Sequence, residues 1–131
     1  AMLPGRRPMA SWLSTIVVAA RAYQIDVIDG VYNAFSDLAG FEHECSEGRD
    51  FGMDGKTLVH PGQIAVANRV FAPDVEAIAG ARAIVAAFAA PEASGKAVIP
   101  LAGRMVERLH LVMAERTLAI AEAIAVKAAA G

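Results

Sequence analysis

The sequence predicts an α/β fold in which two short apolar strands alternate with helices and a helical C-terminal part follows. The β-branched run before Asp29-Gly30 and the run at 57–59 are separated by an amphipathic segment of helical length. Because parallel strands need long crossover connections, the strand-helix-strand-helix order from Gln24 to Phe71 predicts part of a parallel sheet. Two such strands cannot cover their own faces and edges, so we expect the other strands to come from a longer chain or an assembly.

Composition narrows the function classes. The 131 residues are 56% hydrophobic and 20% charged, which is typical of a globular protein. The net charge of -2 is spread over mixed signs and provides no positive field for nucleic acid, and no apolar run approaches the roughly 20 residues of a membrane span. We therefore expect no nucleic-acid or membrane partner. The single cysteine, Cys45, excludes an internal disulfide and favours a cytoplasmic location.

Helix-breaking residues and the spacing of apolar residues predict the secondary structure of residues 1–29. Breaker-rich residues 1–9 predict a loop, and residues 10–23 predict a helix because their apolar side chains recur at helical spacing. Residues 24–29 then predict a buried strand. The predicted apolar face of the helix consists of Trp12, Leu13, Ile16, Val17 and Ala20.

The next helix is predicted to begin after Asp37, a plausible N-cap, and to end at Gly52 and Gly55. Its buried face would carry Leu38, Phe41 and Cys45. Acidic and basic side chains on the other face are expected to stay in solvent, namely Glu42, Glu44, Glu47 and Arg49. A second strand over 56–60 follows, and a helix begins at Pro61, where a first-turn proline is tolerated.

The C-terminal part is predicted to be mainly helical. A helix runs from Pro73 to about Ala90, with Ile78, Ala81, Val85 and Phe88 as its apolar stripe. Residues 91–95 break it, and residues 97–101 contain Pro100 and form at best an edge strand. A final helix spans 104 to about 129, and its apolar face must pack on another surface. That face consists of Val106, Leu109, Met113, Ile120 and Ile124.

Three stretches carry a resemblance to a known family. Residues 52–64 read GMDGKTLVHPGQI, and Asn68, Phe71 and Pro73 follow at the spacing of N-x-x-F-x-P. Upstream stand AARA at 19–22 and IDGVY at 28–32, and downstream Gly95-Lys96 leads to GRMVE at 103–107. In order and spacing these motifs resemble the closing segment of the citrate lyase β-subunit-like CoA-ester lyases, and the resemblance covers Ala10 to Ile124.

The resemblance implies the C-terminal part of a TIM (β/α)8 barrel, since a whole barrel needs about 250 residues. Residues 1–90 would hold the last two strand-helix units, and 91–131 would form a helical C-terminal extension that bridges subunits. Family members are Mg2+-dependent trimers or hexamers acting on CoA thioesters. Their metal ligands lie on earlier strands, so the resemblance implies no metal ligand in this segment, which by itself should be inactive.

Candidate substrate-contacting residues follow both predicted strands, because barrel active sites gather at the carboxyl ends of the strands. We expect the loop after the first strand to line the pocket for the acyl or pantetheine portion of the CoA thioester, through Asp29, Gly30, Val31 and Tyr32. The loop after the second strand adds His60, Pro61 and Gln63. Simpler roles are a turn-forming carboxylate for Asp29, a loop brace for His60 and a helix cap for Gln63. Lys56 is expected to serve structure or solubility.

Glu107 is the predicted catalytic residue. It occupies the position at which related lyases usually place an aspartate that reaches the active site of a neighbouring subunit. The alternative is a solvated acid in the first turn of a helix, where the helix dipole favours a negative charge. If Glu107 is catalytic, Glu107→Gln in the whole enzyme should sharply reduce turnover and largely preserve CoA-ester binding.

Three functions remain open at this point. The leading prediction is a carbon-carbon lyase that cleaves malyl-, citramalyl- or citryl-type CoA thioesters into an acyl-CoA and a 2-oxo acid. The alternatives are a non-catalytic assembly fragment and a malyl-CoA thioesterase on the same scaffold. Other motifs fail: Gly55-Lys56-Thr57 lacks the earlier glycine of a phosphate loop, and His43 and Cys45 diverge on a helix.

Overall fold

A computed structural model describes residues 6–130 and divides the chain into two compact units. The first ends at Phe71 and the second begins at Ala72. The predicted division into a barrel part, residues 1–90, and a C-terminal extension, residues 91–131, stays a prediction. None of the helices between residues 6 and 130 is both long and apolar enough to span a bilayer.

The first unit has the predicted strand-helix-strand-helix order. Its elements are α1 (Ala10–Ala22), β1 (Ile28–Asp29), α2 (Leu38–Phe51), β2 (Gly55–Lys56) and α3 (Ile64–Phe71). The two strands pair in parallel, with Ile28 opposite Gly55 and Asp29 opposite Lys56. Arg7–Met9 form a short 3-10 helix where a loop was predicted, and positions 1–5 of that predicted loop lie outside the described residues.

Both strands are shorter than predicted. Gln24 adopts a left-handed backbone conformation with φ of 56° and belongs to the turn that ends α1, so the strand predicted over 24–29 cannot begin there. After β2, the backbone N–H groups of Val59 and His60 donate to the Gln63 side chain. These donors are unavailable to a neighbouring strand, so pairing ends at Lys56 instead of His60.

The predicted limits of α2 are confirmed, because both ends are stabilised locally. The Asp37 carboxylate accepts a hydrogen bond from the Gly40 N–H at 3.0 Å. Gly52 closes the helix in the left-handed conformation, with φ of 96°. Phe41 and Cys45 are fully buried as predicted, but Leu38 is 44% exposed.

Two clusters of buried residues form the core of the first unit. Phe41 and Cys45 pack with Ala67 and Val70 of α3. The other cluster comprises Val17, Val27 and Met53. The predicted buried face of α1 is only partly correct, because Trp12 and Ile16 are 68% and 53% exposed.

The second unit contains α4 (Val75–Ala89), a hairpin of β3 (Val98–Leu101) and β4 (Arg104–Glu107), and α5 (Arg108–Ala130). Asp74 caps α4 by accepting from the Ala77 N–H. The two strands pair antiparallel, and Ile99 and Val106 pack with Ala93 in the core of this unit. Helices α4 and α5 pack along each other.

The prediction that the last helix begins at Arg104 is wrong. Residues 104–107 form β4, and α5 begins at Arg108. Ala102 and Gly103 adopt φ of 48° and 78°, the left-handed geometry of a two-residue hairpin turn, and this turn folds 104–107 back onto β3. Of the predicted apolar face only Val106 is buried, and it belongs to the strand; Leu109 and Met113 are 65% and 59% exposed.

Candidate functional site

The candidate site lies at the carboxyl ends of β1 and β2. Thr57 N–H donates to the Asp29 carbonyl at 3.0 Å, the last backbone bond between the strands. The segments after β1 and β2 therefore leave the same end of the sheet. These segments contain all the predicted substrate-contacting residues except Asp29, which ends β1 itself.

A buried ion cluster lies beneath this rim. One guanidinium nitrogen of Arg6 donates to both Asp29 carboxylate oxygens at 2.7 Å. Lys56 Nζ lies 3.1 Å from Asp29 Oδ2 and 2.6 Å from Glu44 Oε1, and Arg6 Nε lies 2.8 Å from Glu47 Oε2. Because Asp29 and Lys56 are opposite each other in the sheet and Glu44 and Glu47 belong to α2, the cluster joins the sheet to that helix.

This cluster corrects the expectation for the acidic face of α2. Glu44 and Glu47 were predicted to stay in solvent, but both pair with buried cations, and their side chains are only 21% and 27% exposed. Lys56 has a fully buried side chain, so its role is structural, and the solubility alternative is wrong. The charges were recognisable in the sequence, but the partners were not.

The Asp29 carboxylate is held as an anion. Burial alone would raise its pKa, but the hydrogen bonds from Arg6 and Lys56 and their positive charges bring that pKa below its usual value. The same carboxylate accepts from the Gly30 N–H at 2.8 Å, which is the local turn bond considered as the simpler role. Direct contact of Asp29 with a ligand stays a prediction.

Gly48 of α2 faces the Asp29 carboxylate, and we expect Gly48→Ala to destabilise the protein. An added Cβ would lie 2.9 Å from Asp29 Oδ2, and Arg6 and Lys56 hold that oxygen in place. Overpacking of this kind costs about 1 to 3 kcal/mol, which exceeds the roughly 1 kcal/mol that alanine gains over glycine in a helix. Urea unfolding of the intact protein measures the change.

The matched control is Gly80→Ala in α4, where an added Cβ would meet nothing within 4 Å. The same substitution should there increase stability by up to about 1 kcal/mol through helix propensity alone. Opposite signs for the two variants are the expected result. A stabilising Gly48→Ala would contradict the close approach of Asp29 to α2.

Gln63 joins the two rim loops. Its buried side-chain oxygen accepts from the N–H groups of Val59 and His60 at 3.0 and 3.2 Å, while Nε2 donates to the Tyr32 carbonyl at 3.0 Å. Together with the acceptor on His60, this forms a capping box, so the cap considered as the alternative for Gln63 is present. Contact between Gln63 and a ligand stays a prediction.

His60 is the exposed centre of the second loop. Its Nδ1 accepts from the Gly62 N–H at 3.0 Å, and its ring stacks on Phe35 with centroids 4.8 Å apart and an angle of 18° between the planes. Phe35 lies in the loop after β1, so this stack is a second link between the loops. The brace considered as the simpler role for His60 is therefore present.

The remaining predicted contacts lie on the same rim. Gly30, Val31 and Pro61 are exposed, and an added Cβ at Gly30 would meet no described atom within 4 Å. Tyr32 packs against the Phe41 ring, and its hydroxyl donates to Asp37 Oδ2 at 2.7 Å. The rim thus combines hydrogen-bonded, well-fixed residues with exposed groups that a ligand can reach.

Glu107 belongs to the second unit and is exposed at the end of β4. As in the alternative, Glu107 is a solvated acid at the start of a helix, but it directly precedes the first residue of α5 instead of standing within the first turn. Its backbone N–H donates to His110 Nδ1 at 2.9 Å, so the His110 side chain caps the start of α5. The catalytic role of Glu107 stays a prediction.

A metal centre does not fit the described part of the chain. Within residues 6–130, no three or more histidine, cysteine, aspartate or glutamate side chains come together to hold an ion. Two carboxylates of the cluster beneath the rim, Asp29 and Glu44, are paired with cations instead.

Sequence reasoning missed Phe35, Arg6 and Glu44 as parts of the site. Phe35 lies two residues before the N-cap Asp37 and follows IDGVY closely, and that position was the only available signal. Arg6 was hidden in a breaker-rich segment, and its partner Asp29 is 23 residues away.

Comparisons with known proteins show which family and which enzymes the chain is similar to. A family model described as C-C bond lyase of the TIM-barrel fold matches residues 6–126. A (3S)-malyl-CoA thioesterase of Cereibacter sphaeroides is 48% identical over 122 residues, covering 93% of this chain and 43% of that protein. An L-malyl-CoA/beta-methylmalyl-CoA lyase of the same species is 39% identical over 85% of this chain and 35% of its own length.

The fold is also found in a solved structure. The crystal structure of CitE from Mycobacterium tuberculosis, in complex with magnesium, acetoacetate and coenzyme A, matches with a TM-score of 0.71 and 30% identity. The match covers 89% of this chain and 42% of that one. The chain spans less than half the length of each of these relatives, and the predicted partial barrel is confirmed.

The predicted lyase activity is corrected by these relatives. Thioesterases share more identity with the chain, over a larger part of it, than lyases do. The malyl-CoA thioesterase considered as an alternative is therefore better supported than the main prediction.

Proposed function

The chain belongs to the C-C bond lyase family of the TIM-barrel fold, and from this premise we propose that it completes an enzyme that hydrolyses malyl-type CoA thioesters. The 48% identity to a (3S)-malyl-CoA thioesterase across 93% of the chain carries the proposal. The segment contributes the last two strand-helix units of the barrel, and the full site needs the preceding strands.

The proposed reaction is attack by water on the thioester carbonyl. The carbon-sulfur bond breaks, the water oxygen becomes part of the new carboxylate, and CoA leaves with its sulfur taking up a proton. Catalysis requires donors for the carbonyl oxygen and a fixed position for the acyl chain. The rim loops held together by Gln63 and by the Phe35 and His60 stack supply a rigid wall for that purpose.

Magnesium enters the proposal only from outside the described residues. A family member is solved with magnesium and coenzyme A, whereas residues 6–130 offer no cluster of ligands for an ion. We therefore assign metal binding to preceding strands and derive no step through it. Assembly as a trimer or hexamer, a cytoplasmic location and inactivity of the isolated segment remain predictions.

Product analysis tests the proposal. We expect the intact protein to convert (3S)-malyl-CoA and water into malate and free CoA thiol, measured with a thiol reagent and by mass spectrometry. In water enriched in oxygen-18, one labelled oxygen should appear in the malate carboxylate. Acetyl-CoA, which lacks the hydroxyacid portion, serves as the control substrate and should react far more slowly.

A lyase would give a different result. Acetyl-CoA and glyoxylate would form in equal amounts, with no labelled malate. That outcome, or unchanged malyl-CoA, would refute the hydrolase proposal.

A further inference from the structure

The His60 ring is held in one orientation and one protonation pattern. Its Nδ1 accepts a hydrogen bond from the Gly62 N–H at 3.0 Å, and a ring nitrogen that accepts cannot carry a proton. In the neutral imidazole the proton must then be on Nε2. The stack on Phe35, with 4.8 Å between centroids, fixes the plane of the ring.

Among residues 6–130, the Nε2–H group of His60 has no hydrogen-bond partner. Nδ1 and Nε2 point to different sides of an imidazole, so Nε2 is directed away from the turn that Gly62 occupies. No group among residues 6–130 accepts a hydrogen bond from Nε2, and the residue is exposed. His60 is therefore suited to donate a hydrogen bond and not to act as a base, because the lone pair on Nδ1 already accepts from the Gly62 N–H.

The position of this donor is at the rim of the proposed active site. His60 follows β2, and Phe35 follows β1, so both lie at the carboxyl ends of the parallel strands. Gln63 fixes the backbone beneath the ring by accepting from the His60 N–H and donating to the Tyr32 carbonyl. A hydrogen-bond donor held by a rigid backbone at this edge is suited to a ligand rich in oxygen acceptors.

We propose that His60, fixed as its Nε2–H tautomer by Gly62 and held in one ring plane by Phe35, donates a hydrogen bond to an oxygen of the bound CoA thioester. The inference rests on the proposed function and adds a role within it: His60 binds the ligand as a donor and does not activate water as a base. Phe35 is the positioning residue that holds the ring.

Two substitutions separate a donor from a loop brace. His60→Asn places an oxygen near the position of Nδ1, so it can keep the bond from Gly62 but has no donor at the Nε2 position. His60→Gln places its amide nitrogen near the Nε2 position and cannot keep the Gly62 bond. For a donor, we expect kcat/KM for malyl-CoA to fall about tenfold or more in His60→Asn, and to stay within about threefold in His60→Gln.

The opposite order would overturn the inference. If His60→Asn keeps full activity while His60→Gln loses it, His60 only braces the loop. His43→Asn is the matched control, since His43 is an exposed histidine of α2 and should leave kcat/KM unchanged.

Binding measurements identify the acceptor. Isothermal titration of the intact protein with free coenzyme A shows whether His60→Asn weakens binding of the CoA portion. A normal affinity for CoA combined with a lower kcat/KM for malyl-CoA places the acceptor on the acyl portion. Wild-type values in both measurements would exclude a donor role.

Nitrogen-15 NMR of histidine-labelled protein tests the tautomer without relying on turnover. The His60 signals, assigned by their loss in His60→Gln, should show Nε2 protonated and Nδ1 unprotonated in the neutral form of the ring. A protonated Nδ1 would overturn the inference even if the enzyme hydrolyses malyl-CoA. Conversely, a protein that binds CoA through His60 but releases no malate would refute the proposed function alone.

Discussion

Lys56→Met should destabilise the intact protein by roughly 3 to 5 kcal/mol, because it takes the close cation from Glu44 and leaves the buried Asp29 carboxylate with Arg6 alone. The Lys56 ammonium is fully buried and bonds to Asp29 at 3.1 Å and to Glu44 at 2.6 Å. Methionine matches its length and apolar stem but provides no charge. The free energy of unfolding, measured by urea denaturation, should show the full loss at neutral pH.

A control and a double variant give this prediction its specificity. Arg49→Met removes a cation from an exposed pair with Asp50, whose side chains are 53% and 69% exposed, and should cost at most about 1 kcal/mol. Adding Asp29→Asn to Lys56→Met should cost less than the sum of the two single changes, since the carboxylate no longer needs its partner. A loss below about 1 kcal/mol for Lys56→Met would show that the cluster is hydrated and not buried.

Gln63→Leu is the second change with a large expected effect. Leucine fills similar space but leaves the N–H groups of Val59 and His60 and the Tyr32 carbonyl without their side-chain partners. Each unsatisfied group costs roughly 1 to 3 kcal/mol where water cannot reach it, so we expect a loss of about 3 kcal/mol. Hydrogen exchange of the Val59 and His60 amides should accelerate because the loops are no longer joined.

Asn68→Leu makes a comparable amide-to-leucine change at an exposed position of α3. It should alter stability by no more than about 0.5 kcal/mol and leave the two amides protected. If Gln63→Leu behaved like this control, the rim loops would be held by other contacts, such as the Phe35 and His60 stack.

Local patterns predicted the local structure. The N-cap Asp37, the C-terminal Gly52 and the spacing of Phe41 and Cys45 correctly defined α2, because capping and helical periodicity act over only a few residues. The hairpin at Ala102-Gly103 was missed for a related reason: residues 104–107 also fit a helical pattern, and pairing with β3 decided between the two.

Side-chain partners could not be predicted in the same way. Arg6 meets Glu47 across 41 positions and Asp29 across 23, so no local pattern indicates either pair. Glutamate and lysine side chains are usually exposed, and only the approach of α2 to the sheet brings Glu44 and Lys56 together as an ion pair.

The sequence by itself determined the alternation of strands and helices and the family, since periodicity and motif spacing are properties of the chain order. The tertiary structure decided which groups the fold uses and which it leaves for a ligand. Arg6 engages both Asp29 oxygens, and the turn at Gly62 engages Nδ1 of His60 while its Nε2–H stays unpartnered among the described residues. The physical reason is that hydrogen-bonding capacity belongs to the residue type, whereas its use depends on neighbours that are distant along the chain.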